Sequence, residues 1–121
     1  MSAIVPFLAV AAGGAVGAVL RFSVYKTVDT TFPWATFIVN IVGCLVASFL
    51  MFQYGTDMRD SFKTFLFVGL FGAFTTMSTF SIDTMHLLTE GTIALATVNI
   101  LMNSVVCVGG ACLGWYLSTV V

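Results

Sequence analysis

The sequence predicts an all-α membrane protein with four transmembrane helices, and composition is the first reason. Of the 121 residues, 60% are hydrophobic and only 7% are charged, and the mean hydropathy is +1.10. A soluble domain carries about a quarter of its residues as charged side chains, so this chain cannot cover a surface that faces water. Its length predicts one domain over residues 1–121.

Charge spacing is the second reason for this fold class. The nine charged residues leave four long uncharged runs, each near or above the roughly 20 residues that a membrane-spanning helix needs. None of these runs alternates with the period of two expected for a strand, so we expect helices rather than a barrel. The predicted helices extend from about Ile4 to Tyr25, Ala35 to Tyr54, Phe62 to Leu88 and Thr92 to Leu117.

Several other classes of protein are excluded by what the sequence contains. A net charge of −1 offers no basic patch for nucleic acid. No catalytic set, phosphate loop or dinucleotide motif is present, so an enzyme is not expected. The first apolar run lacks a basic start and is interpreted as a helix rather than a signal peptide. Three cysteines inside apolar runs form no disulfide or zinc pattern.

Basic residues give almost no preference for one orientation in the membrane. With four spans, Arg59 and Lys63 share a side with both termini, whereas Arg21 and Lys26 lie toward the opposite side. Either a weak bias is sufficient, or the chain inserts both ways and two copies pair antiparallel.

Small residues recur four positions apart on three of the predicted helices, as they do where helices approach closely. This pattern favours an oligomer, although packing within one subunit would use the same residues. The pairs are Gly13 with Gly17, Gly43 with Ala47, and Gly110 with Gly114.

The third predicted helix contains the most informative stretch. Gly69 and Gly72 precede five hydroxyl residues within the seven positions Thr75–Ser81. Glycine lowers the cost of leaving helical geometry, and a broken helix at this depth frees peptide groups that can face an ion. The alternative is a continuous helix whose hydroxyl groups bond back to its own carbonyls.

Other polar side chains lie within the apolar runs. Asn40 falls in the middle of the second helix, and Asn99, Asn103 and Cys107 recur every four residues on the fourth. They serve either as hydrogen bonds between helices or as neutral donors along an ion path.

Two charged residues flank the same region. Arg21 either extends to the lipid headgroups or sets a positive potential at the mouth of an anion path. Asp83 and His86 either pair with Arg21 or line the same aqueous vestibule. A proton-coupled exporter would need an ionisable group deeper in a span.

Together these residues resemble the Fluc (CrcB) family of fluoride ion channels over essentially the whole chain. The motifs that carry the resemblance are the first-helix sequence Gly13–Phe22, Pro33 followed by Thr36, Val39-Asn40 and Gly43, and the third-helix sequence Gly72–Ser81. The resemblance implies an antiparallel dual-topology homodimer with two fluoride pathways. It also implies a structural Na⁺ ion at the dimer interface, held by the main-chain carbonyls of Gly72 and Thr75.

The resemblance also assigns site residues. The implied fluoride pathway consists of Asn40, Met77, Phe80, Thr79, Ser81, Asn103 and Cys107, and the implied vestibule residues are Arg21 and Asp83. Met77 departs from the family pattern, because it stands where the first of two phenylalanines is expected. The aromatic ring edge is partly positive, and a thioether is only a weak acceptor. Either one aromatic suffices, or conduction is slower, or a paralogous subunit supplies the missing ring.

Other departures are Ala35 and Ala73, which stand where the family often has glycine, and Cys107, where it more often has a hydroxyl. The resemblance implies a multi-pass protein of the cell (inner or plasma) membrane that passes fluoride passively and lowers its cytoplasmic level. The alternatives are a small dual-topology exporter of the multidrug type and a membrane subunit that transports nothing.

Overall fold

The computed structural model describes residues 2–121, and every regular element in that range is helical. Four spans are long and apolar enough to cross a membrane, which confirms the predicted number. The predicted bounds agree with the observed ones to within a few residues. The spans are α1 (Val5–Thr27), α2 (Trp34–Tyr54), a third span (Asp60–Thr89) made of two helices, and α5 (Ile93–Val120).

The third span consists of α3, residues 60–74, and α4, Met77–Thr89. Most of α3 is wound as a π-helix over Thr64–Phe71. Thr75 and Thr76 between the two helices are extended, with ψ angles of 156° and 122°. Both residues belong to the hydroxyl-rich stretch recognised in the sequence. In α5, a shorter π-helical stretch covers Met102–Val106; such stretches in helices are frequently found at functional sites.

Local sequence explains where the helices begin and end. Pro6 lies in the first turn of α1 and Pro33 directly precedes α2, positions where proline's missing N–H costs nothing. Gly91 has a φ of +80°, a conformation that glycine adopts readily. It ends α4, and the Thr92 N–H bonds back to the Leu87 carbonyl at 2.9 Å.

Glycines bring helix backbones into contact within this one chain. A Cβ on Gly13 would strike the Phe65 carbonyl, and one on Gly17 would strike the Leu70 carbonyl, so α1 and α3 touch through bare backbone. In α5, Gly114 lies in the same way against the Leu45 carbonyl of α2. The glycine pairs therefore pack helices inside the subunit, one of the two uses that the sequence allowed.

The surface has the character expected of a protein in lipid. Phe7, Phe22, Phe52 and Val105 each expose more than 60% of their surface, at 75%, 65%, 62% and 65%. The buried set includes small and polar side chains such as Ala35, Thr36, Val39 and Asn99. Many large apolar side chains face outward while several polar side chains are buried, so the place to search for function is the interior.

Candidate functional site: a polar chain beside the interruption of the third span

Asn40 of α2 pairs with the extended residue Thr76. The Thr76 N–H donates to Asn40 Oδ1 at 2.8 Å, and Asn40 Nδ2 donates to the Thr76 carbonyl at 3.1 Å. One carboxamide thus bonds both peptide groups of a residue that has left helical geometry. Because unpaired peptide groups away from water are costly, Asn40 stabilises the extended conformation.

The same bonds divert donors from two carbonyls near the interruption. In a continuous helix, the Gly72 carbonyl would accept from the Thr76 N–H and the Thr75 carbonyl from the Thr79 N–H. Instead, the Thr76 N–H bonds Asn40, and the Thr79 N–H bonds the Thr76 hydroxyl at 3.2 Å. These are the two carbonyls that the resemblance assigns to a sodium ion, and neither keeps its helical donor.

A directional chain of hydrogen bonds continues from Asn40 into α5. Asn40 Nδ2 donates to Asn103 Oδ1 at 2.8 Å, and Asn103 Nδ2 donates to Asn99 Oδ1 at 3.1 Å. Asn99 Nδ2 then donates to the Thr84 hydroxyl at 3.0 Å, which donates to the Phe80 carbonyl at 2.8 Å. Aligned hydrogen bonds polarise one another in a low-dielectric interior. The chain therefore holds each amide in one orientation.

A cavity of about 200 Å³ lies beside this chain. Its wall combines amide, hydroxyl, aromatic and sulfur-containing side chains from α2, the third span and α5. The lining residues are Asn40, Cys44, Thr75, Thr76, Met77, Phe80, Asn103 and Cys107. Five of the seven predicted pathway residues are therefore brought together: Asn40, Met77, Phe80, Asn103 and Cys107.

The N-terminus of α4 lies at this cavity and carries partial positive charge. Thr76 is its N-cap, with the hydroxyl accepting from the Thr79 N–H. The N–H groups of Met77 and Ser78, in the first turn of α4, have no acceptor within a helix. No charged side chain lines the cavity, so the groups that it offers to an ion are peptide N–H, amide and hydroxyl groups.

The remaining predicted pathway residues, Thr79 and Ser81, do not line this cavity. The Thr79 hydroxyl accepts from the hydroxyl of Thr76, which does line the cavity, at 3.2 Å. Ser81 is exposed on the surface of the single chain, and its hydroxyl donates to the Met77 carbonyl at 2.9 Å.

The two predicted vestibule residues lie apart. Asp83 lines a second cavity of about 350 Å³ together with Tyr25, Thr36 and His86. Its carboxylate accepts from the Thr36 hydroxyl at 2.6 Å, and Tyr25 bonds the same hydroxyl at 2.5 Å. Arg21 is half-buried and is not among the residues that line this cavity. Asp83 and His86 share this cavity and Arg21 does not line it, so the structure does not bring Arg21 and Asp83 into one vestibule.

Sequence reasoning did not single out two residues of the site, Thr76 and Cys44. Thr76 belonged to the hydroxyl cluster, but nothing marked it as the partner of Asn40. Cys44 follows Asn40 by four positions, so helical spacing alone could have placed both on one face.

These features define a class: a multi-pass helical membrane protein with a neutral polar site between its spans. Comparison with known proteins then gives the family. The family described as "CrcB-like protein, Camphor Resistance (CrcB)" matches residues 8–115. The chain belongs to this family.

The names of the relatives agree with one another. A "Fluoride-specific ion channel FluC" from Magnetococcus marinus is 39% identical, over 87% of this chain and 90% of the relative. Proteins of the same name from Shewanella amazonensis and Alteromonas mediterranea are 40% and 42% identical, over 91% and 88% of this chain and 93% and 86% of the relatives. This chain thus spans nearly the whole length of each relative.

Proposed function

We propose that this chain is a fluoride channel that passes the ion passively across a cell membrane. The observation that carries the proposal is the cavity between α2, the third span and α5, which is lined by amide, hydroxyl and aromatic groups and by no charged side chain. The names of its relatives, at 39–42% identity over most of the chain, support fluoride as the ion.

Neutral donors suit the conduction of a small, strongly hydrated anion. The ion needs N–H and O–H groups to replace its water, yet a buried cation would bind it too tightly to let it leave. The N-terminus of α4 and the Asn40 carboxamide supply such groups. Both N–H bonds of Asn40 are occupied, by the Thr76 carbonyl and by Asn103, so fluoride must compete for them. Because fluoride competes with these existing hydrogen bonds, it binds weakly enough to leave the site as well as to enter it.

We place the extended residues Thr75 and Thr76 near the middle of the membrane. Residues 60–74 precede them and α4 follows, so each side of the interruption has a helix of 13 to 15 residues. Irregular backbone at such a depth is tolerated where protein or a water-filled cavity covers it. Asn40 and the cavity provide both.

We also propose an antiparallel homodimer. The cavity is incomplete in one chain, because Met77 on its wall exposes 72% of its surface. A second copy would close this side. The even distribution of basic residues, with Arg59 and Lys63 opposed by Arg21 and Lys26, is compatible with insertion in both orientations.

We further propose that a structural sodium ion lies between the two copies. Carbonyl oxygen is a suitable ligand for a hard cation, and the Gly72 and Thr75 carbonyls have both lost their helical donors to other bonds. Gly72 is exposed in the single chain, on a surface that a second copy would have to cover. These carbonyls would hold the sodium ion, which would fix the third spans of the two copies against each other.

The test of the proposed function is ion release from liposomes that contain the purified protein. We expect rapid release of fluoride and no release of chloride above that of empty vesicles. In Asn40→Asp, a carboxylate oxygen would face the Thr76 carbonyl and Asn103 Oδ1 and would add negative charge to an anion path, so fluoride release should fall.

Gln53→Glu makes the same change from amide to carboxylate near the end of α2, away from the cavity, and should release fluoride at the unmodified rate. Equal release of chloride and fluoride by the unmodified protein would refute the proposal.

A further inference from the structure

Spans α2 and α5 run in parallel, and two polar side-chain contacts between them have the same separation in the sequence. Asn40 bonds Asn103 at 2.8 Å, and two turns further the Ser48 hydroxyl bonds the Ala111 carbonyl at 2.6 Å. Both contacts join residues that are 63 positions apart. Cys44 and Cys107 have the same separation and lie between these two contacts, one helical turn from each.

This shared separation places Cys44 and Cys107 at the same level of the α2–α5 interface. Both side chains line the 200 Å³ cavity. Cys107 is 3% exposed and Cys44 is partly buried, and both thiols are free. Small residues keep this interface close, because Gly110 and Gly114 allow α5 to approach α2.

A third sulfur lies on the wall of the same cavity. Met77, at the start of α4, lines the cavity together with both cysteines. No group of three or more His, Cys, Asp or Glu side chains with metal-binding placement occurs among residues 2–121. The soft side chains that line this cavity are two thiols and one thioether, ligand types that select monovalent copper over hard cations.

We infer that Cys44, Cys107 and Met77 form a binding site for a soft monovalent cation, Cu⁺ or Ag⁺, and that the bound ion obstructs the fluoride pathway. On binding, each thiol releases its proton to water as its sulfur bonds the metal, and no oxidation state changes. The bound ion would obstruct the pathway because Asn40 and Phe80 line the same cavity. Obstruction of fluoride therefore rests on the proposed function, whereas binding of the metal ion does not rest on it.

Ag⁺ is the probe, since it does not cycle between oxidation states and so does not promote disulfide formation. Purified protein in chloride-free nitrate buffer is titrated with Ag⁺, and the number of ions bound per chain is measured by native mass spectrometry. The unmodified chain should retain one ion. The double variant Cys44→Ser with Cys107→Ser should retain none, and Met77→Leu should release its ion faster.

The chain offers matched controls for these variants. Cys112 is an exposed cysteine of α5 that lines a different cavity, with Phe52 and Trp115. Cys112→Ser should bind Ag⁺ and release fluoride as the unmodified chain does. Met85 is exposed on α4 outside the sulfur site, and Met85→Leu should hold Ag⁺ as long as the unmodified chain.

Fluoride efflux from liposomes provides the second readout. Each variant is compared with and without Ag⁺, so that any change in its basal rate cancels. Ag⁺ should reduce efflux through the unmodified chain and Cys112→Ser to that of empty vesicles, and should leave the double variant at its own basal rate.

Retention of Ag⁺ by the double variant, or its loss in Cys112→Ser, would overturn the site. Binding without any slowing of efflux would overturn obstruction. If the unmodified chain releases no fluoride at all, the proposed function fails, and the titration still decides whether the metal site exists.

Discussion

The interface between α1 and α3 and the interface between α2 and α5 are both close helix contacts, but they differ in chemistry. Gly13 and Gly17 press α1 directly against the backbone of α3. In the interface between α2 and α5, Gly110 and Gly114 allow close contact of the helices in one half. In the other half, the side chains of Asn40 and Asn103 join the two helices by a hydrogen bond. The first interface has packing as its main role, and the second combines packing with the polar site.

The largest expected effect on stability concerns the glycine interface. Gly17→Ala places a methyl group against the Leu70 carbonyl, so α1 and α3 must separate. Overpacking of this kind costs about 1–3 kcal/mol, and we expect a corresponding loss of unfolding free energy in detergent.

Gly14→Ala is the matched control, because nothing lies within 4 Å of the Cβ it would introduce. Replacing glycine within a helix should then stabilise by about 0.5–1 kcal/mol. Equal effects of the two substitutions would contradict the packing described for α1 and α3.

The next effect concerns Asn99, which is fully buried. Asn99→Leu removes one of the two acceptors of Asn103 Nδ2, leaving the residue-99 main-chain carbonyl at 3.1 Å, and removes the donor to the Thr84 hydroxyl. Each lost hydrogen bond costs about 0.5–1.5 kcal/mol, and packing adjustments around Leu will offset part of it. Asn103 is then held beside Asn40 by fewer bonds, so fluoride efflux should fall as well as stability.

Thr97→Leu also replaces a polar residue of α5, but Thr97 is exposed and its hydroxyl bonds only the Ile93 carbonyl of its own helix. It should change neither stability nor efflux appreciably. If Asn99→Leu lowers stability while efflux stays unchanged, the amide chain has a structural role only.

Met77 gives a prediction for rate rather than for stability. Met77→Phe would place a partly positive ring edge on the cavity wall beside Phe80. A gain of about 0.7 kcal/mol at the barrier corresponds to about a threefold faster efflux, measured with a fluoride electrode. Met85→Phe, on the exposed side of α4, should leave the rate unchanged.

The position of the aromatic pair is also open to test. Phe80→Ala should slow efflux, because it removes the aromatic ring that the cavity already has. If Met77→Phe abolishes efflux and Phe80→Ala has no effect, the ion does not pass between positions 77 and 80.

The contrast between the two interfaces also explains what the sequence could predict. Span number and family depend on apolar length, charge spacing and motifs, which are local in the sequence, and both predictions are confirmed. Which helix each glycine contacts depends on the tertiary arrangement. Gly13 and Gly17 were equally compatible with contacts between subunits, and only the structure assigns them to α3.

The candidate site also has features that the sequence could predict and others that depend on the tertiary arrangement. The sequence identified Asn40 and the hydroxyl cluster as polar groups in apolar surroundings, which have few acceptable environments in a membrane. It could not identify Thr76 as the partner of Asn40, because the two residues are 36 positions apart and every hydroxyl in Thr75–Ser81 was an equal candidate. The sequence likewise could not show that Cys44 and Cys107, which are far apart in the chain, line the same cavity. The roles assigned to all the pathway, vestibule and sodium-site residues stay predictions.

The smallest expected effect separates packing from function within the α2–α5 interface itself. Ser48→Ala removes the hydrogen bond to the Ala111 carbonyl, one turn beyond the sulfur pair. Side-chain hydrogen bonds between membrane helices contribute about 0.6 kcal/mol on average, so we expect a slight loss of stability and an unchanged rate of fluoride efflux. A thermal melt and an efflux trace on the same preparation measure both. If Ser48→Ala slows efflux as strongly as Asn40→Asp does, the polar site extends along the whole interface and is not confined to the cavity at Asn40.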